Sequence, residues 1–106
     1  SASLTTVEGK NRSLTDVALD LGSKAEEGNM SDLIILRKTY EKILELVNSE
    51  FQDKCRAIID DCLGKVKFEL ETVIKKKEFA DEVRSKTLAF SGEILMSYVM
   101  EYVLLS

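Results

Sequence analysis

Residues 33–73 read LIILRKTYEKILELVNSEFQDKCRAIIDDCLGKVKFELETV, and their apolar positions decide the fold. Leu33, Leu36, Tyr40, Ile43, Val47, Phe51, Cys55, Ile58, Cys62, Val66, Leu70 and Val73 recur every three or four residues. Their mean step is about 3.6 residues, the period of a straight α-helix. At 100° per residue the stripe drifts only about 40° over this length. The expectation is therefore a long helix over about 31–77, opened by Asn29 or Ser31 as a cap with Asp32 in its first turn. Three places invite a break: Asn48-Ser49, Asp60-Asp61 and Gly64. Glu50/Lys54, Asp61/Lys65 and Glu71/Lys75 are well-oriented i, i+4 pairs across or near them. Constant phase favours continuity through 48–49, with Gly64 the weaker point.

Outward from the stripe, Ser13 opens a shorter helix, with Asp16 placed to complete a capping box. Leu14, Val17, Ala18 and Leu21 form its apolar face, Gly22 is the expected stop, and 23–29 reads as a loop. Residues 1–12 lack periodicity and are expected to be a flexible tail, with Ser1–Ser3 resembling a cloning remnant. A last helix is expected from Phe79 or Asp81 to the end, loosened near Ser91-Gly92. From Ile94 onward it is apolar almost all round, and Glu93, Ser97 and Glu101 form its one polar edge. No stretch approaches the ~20 consecutive apolar residues of a membrane span. The fold class expected is all-α: one helical domain over 13–106, a bundle of three to five helices.

Composition narrows the chemistry. The 106 residues include no proline and no histidine, and carry a net charge of −4. Without histidine the commonest general base, the Ser/His and Cys/His nucleophiles and most zinc sites are gone. Neither Gly9-Lys10 nor Gly64-Lys65 has the earlier glycine of a phosphate loop. Asp60 and Asp61 diverge by 100° on a helix and do not converge on a metal. Cys55 and Cys62 lie about 10 Å apart on one helix face, too far to pair, and read as reduced core thiols in an intracellular compartment. Glu101, the carboxylate of the apolar helix, is the one candidate acid or base, and it reads as an edge residue. No enzyme activity, metal or cofactor is expected.

Geometry carries the functional expectation. A helix from Asp32 to Lys76 would run about 65 Å, whereas a compact domain of this size has a radius of gyration near 13 Å. Either the helix folds back into a bundle or a second chain covers it. Both point to a protein–protein interaction or dimerisation module, with a homodimer or a helical hetero-partner. Tyr40, Val47, Phe51, Tyr98, Val99 and Tyr102 are the candidate interaction residues. The alternative is a nucleic-acid- or phosphate-associated domain using Lys75, Lys76, Lys77, Arg84 and Lys86. The net negative charge and the interleaved Glu69, Glu78, Asp81 and Glu82 argue against it.

Overall fold

The computed structural model describes residues 12–78 and 81–106. Its helices are α1 (Leu14–Glu26), α2 (Ser31–Leu44), α3 (Ser49–Lys76), α4 (Asp81–Leu88) and α5 (Ile94–Leu105). A π-helical turn, Ala89–Glu93, joins α4 to α5, so these two form one continuous rod. The described residues are an all-α bundle of four rods; the tail expected over 1–12 lies, except for Arg12, outside them. Arg12, expected in that tail, is held by Asp20 and Asp32, each at 3.1 Å.

Helix α1 starts as its sequence predicts. The Asp16 N–H donates to Ser13 Oγ at 3.1 Å, and the Ser13 N–H donates back to the Asp16 carboxylate at 3.4 Å. Its end does not follow the expectation. Gly22 is buried inside the helix, and the chain turns at Gly28, with φ 79°. The Gly28 and Asn29 N–H groups donate to the Ala25 and Lys24 carbonyls, a Schellman closure that needs a left-handed residue at 28. The loop is thus shorter than 23–29. Ser31 is the first residue of α2 rather than its cap.

The long stripe is two helices, which corrects the expected continuity. The chain leaves α2 at Leu44 and re-enters α3 at Ser49, while Gly64 lies inside an unbroken 28-residue helix. The Gln52 side-chain amide donates to the Leu44 and Val47 carbonyls at 3.3 and 3.0 Å, serving acceptors that the turn releases. Asn48 caps α3, its Oδ1 accepting from the Glu50 N–H at 3.3 Å. Phase survives the break because each helix aligns separately with the same core. Leu36, Tyr40 and Leu44 enter it from α2, Val47 from the turn, and Cys55, Cys62, Val66, Leu70 and Val73 from α3. Ile59 and Leu63 are buried too, since α3 is covered from more than one side and its buried arc exceeds one stripe. Folding back replaces a ~65 Å rod by a body of 42 × 27 × 21 Å, whose radius of gyration is 13.6 Å.

The π-turn keeps the last rod in register. Thr87, Ser91, Leu95 and Val99 are its buried residues at i+4 spacing. In a plain α-helix, 12 residues of such spacing drift by about 120°; one extra residue in a π-turn cuts this to about 20°. The expected loosening near Ser91-Gly92 is this turn, and Tyr40 Oη donates to the Ser91 carbonyl there at 2.8 Å. Ser91 Oγ donates to the Thr87 carbonyl.

One sequence reading is amended by this continuity. Asp81–Leu105 is a 25-residue helix with an 18-residue window of mean hydropathy 1.4, so length and composition alone would let it cross a membrane. Counting consecutive apolar residues missed this because Glu93, Ser97 and Glu101 interrupt the run without interrupting the helix. Such a helix is weak evidence of a span, since the core helix of a soluble bundle meets the same criteria.

Candidate interaction surfaces

The predicted interaction residues separate into three groups. Tyr40, Val47 and Val99 belong to the chain's own core, with 0%, 3% and 0% of their surface exposed. Phe51 and Tyr102 are half-buried against each other across α3 and α5, their rings tilted at 45° with centroids 5.9 Å apart. Tyr98 alone of the six is exposed, at 49%. Burial pushes the Tyr40 phenol well above its ordinary value, and the nearby Cys62 adds to this. Burial likewise raises both thiols, so Cys55 and Cys62 are poor nucleophiles on the core side of α3.

Around Tyr98 a furrow runs between α3 and the last rod. One stretch, about 510 Å³, is walled by Ile58, Cys62, Phe90, Ile94 and Tyr98. The next, about 530 Å³, passes Gly64 and Phe68, and Asp61, Lys65 and Phe90 border both. Lys65 spans the middle, its ammonium 5.5 Å above the Phe90 ring and 3.1 Å from the Asp61 carboxylate. Asp60, Asp61 and Glu69 share this rim with Lys65 and Lys86, so both signs of charge border an apolar floor. Phe68, 69% exposed, and Ile94 were missed by the sequence reading. Phe68 lies off the stripe, and Ile94 was one of many apolar residues on a helix whose faces look alike. The i, i+4 spacing of Ile94 and Tyr98 was the available signal.

A second groove lies between α2 and α3. Met30, Leu33, Ile34 and Leu63 wall about 470 Å³ that Gly64 also borders, and Arg37, Lys38 and Lys67 complete the lining. No carboxylate lines it.

The basic segment is scattered in function. Lys75 and Lys76 occupy the last turn of α3, where their charge complements the carbonyl end of the helix. Lys77 ends that helix in the left-handed conformation, φ 55°. Lys86 sits 3.6 Å from both Glu69 and Glu82, and Arg84 4.0 Å from Asp81. Carboxylates thus occupy much of the charge that a phosphate would need. Glu101 is exposed and lines neither groove.

Away from the grooves, Asp32 is 1% exposed and pinned by Lys24 at 2.8 Å and Arg12 at 3.1 Å. Burial alone would raise its carboxyl pKa, but hydrogen bonds and charge from Arg12 and Lys24 outweigh this and hold it below the ordinary value. The cluster ties the first turn of α2 to α1.

No protein-family model matches this chain, and neither a curated protein nor a solved structure matches it.

Proposed function

We propose that the chain is a non-catalytic helical protein–protein interaction module that dimerises through the face formed by α3 and α5. The observation that carries this is the division of α5. Leu95 and Val99 enter the core, while Ile94, Tyr98, Leu104 and Leu105 stay exposed at 39%, 49%, 85% and 63%. An exposed apolar face of this kind beside a furrow is the usual mark of an interaction site. A second copy suits it because the rim bears both signs. In an isologous contact the same patch meets itself, so Asp60 and Asp61 of one copy can face Lys65 and Lys86 of the other. The two buried thiols fit a reducing, intracellular setting.

Light scattering from micromolar to millimolar concentration tests the proposal. A dimer mass is expected, reverting to monomer in Tyr98→Asp with unchanged helical content, because Tyr98 is half in solvent and the new charge would be desolvated only at the interface. A monomer throughout the range overturns dimerisation, as does partition into lipid vesicles in its place.

A further inference from the structure

The groove between α2 and α3 differs from the dimer face in its charge. Its apolar walls are Met30, Leu33, Ile34 and Leu63, with Ile34 58% exposed. Its only charged lining residues are cations. Arg37 donates to Asp60 at 2.7 Å, across to α3. Neither Lys38 nor Lys67 forms an ion pair among the described residues. In a chain of net charge −4 this is a local concentration of positive charge around an apolar cleft.

Gly64 adds an independent observation. A glycine inside a helix is destabilising relative to alanine. A Cβ placed at 64 would meet nothing within 4 Å, so the chain's own packing does not require its absence. Its bare backbone lets a second helix approach α3 closely at the edge of the cleft.

We infer that the α2–α3 groove is a docking site for an acidic amphipathic helix of a partner protein. Its apolar residues, spaced i, i+3/i+4, i+7, pack on Met30, Leu33 and Ile34 above the buried Leu63, and its flanking carboxylates meet Lys38 and Lys67. A second copy of the same face is disfavoured, since an isologous contact would set cations against cations. A flat lipid surface would leave the walls of the cleft unfilled, whereas the ridge of a helix fills them. This surface is separate from α5 and does not rest on dimerisation there.

The test uses the full chain and two synthetic probes of about 18 residues, or five helical turns. Both carry the same leucine face, one flanked by glutamate and the other by lysine. Fluorescence anisotropy at low salt should show the acidic probe binding about tenfold or more tightly than the basic one, against the net charge of the protein. The exposed double variant Lys38→Glu/Lys67→Glu should reverse that preference while retaining its helical content. Tyr98→Asp should leave probe binding unchanged, which separates this result from the fate of the dimer. Gly64→Ala should weaken binding about threefold or more while raising the thermal midpoint. Equal or better binding of the basic probe overturns the inference, as does indifference to the double charge reversal. Preferential binding of anionic vesicles, or a dimer mass that Ile34→Glu abolishes, would assign the groove to another occupant and also overturn it.

Discussion

Two grooves flank α3, both bordered by Gly64 and both floored by aliphatic or aromatic side chains, yet their rims differ. Between α3 and the rod that contains α4 and α5, Asp60, Asp61 and Glu69 alternate with Lys65 and Lys86. The charged residues lining the α2–α3 cleft are Arg37, Lys38 and Lys67, with Arg37 paired to Asp60 and the two lysines carrying the charge left uncompensated among the described residues. Apolar burial supplies affinity without direction, whereas the sign of the rim decides which partner is tolerated. A mixed rim is self-complementary and suits a second copy; a rim of one sign repels its own copy and selects the opposite charge. One helix can thus present two surfaces with different partners.

The most damaging way to break this comparison is Val99→Asp. An unpaired charge in the core under α5 should cost more than ~4 kcal/mol and erase the α3–α5 furrow with the fold. Its neighbour Tyr98→Asp should change stability by only about 0.5 kcal/mol. Urea melts of both variants check the pair, and equal stability would mean that α5 is not seated by its Val99 face.

Next in size is the Asp32 cluster, which braces the α2 wall of the basic groove. Asp32→Asn should cost about 2 kcal/mol at neutral pH. This is reduced from the fully buried figure because Arg12 and Lys24 keep 25% and 33% of their side chains exposed. The folded-state pKa of Asp32 is lowered from 3.8, so its contribution is fully present above that value and is lost as pH falls through the lower folded value. The fall in thermal midpoint on acidification should therefore be smaller in Asp32→Asn than in the parent.

Salt separates the two surfaces more finely. Raising ionic strength from about 0.05 to 0.5 M should weaken acidic-probe binding about tenfold, or ~1.4 kcal/mol, because a one-sign rim depends on unscreened attraction. The dimerisation proposed for the mixed rim should respond less, since screening weakens both attractions and repulsions there. The smallest effects lie on α3 itself. Gly64→Ala and Lys77→Gly should each stabilise the chain by about 0.5–1 kcal/mol, the first through helix propensity and the second by relieving a left-handed lysine. Only the first should touch probe binding.

The parts legible in the sequence were those governed by local chemistry. The Ser13/Asp16 capping box, the apolar face of α1 and the i, i+4 pair Asp61/Lys65 follow from spacing along the chain, and each is present. The loosening at Ser91-Gly92 was legible as well, though its identity as a π-turn was not. The break after Leu44 was misread because constant phase fits one helix and equally fits two helices facing one core. Of the six candidate interaction residues, Tyr98 is the one that stays exposed, on the apolar helix whose faces look alike in sequence. Tyr40, Val47 and Val99 were placed among interaction residues because sequence alone cannot separate burial by a partner from burial by the same chain. The grooves themselves were invisible. Ile34 and Leu63, or Ile58 and Ile94, meet only after the chain has folded back.

By itself the sequence determined that this protein is helical, which residues carry its apolar faces, and that histidine chemistry is absent. These are consequences of backbone period and side-chain type, both local. The tertiary structure alone decided where the long stripe turns, how the π-turn aligns Thr87 with Val99, and which apolar residues stay exposed. Those outcomes depend on how helices share one core, and contacts between distant segments settle them, with spacing along the chain leaving them open.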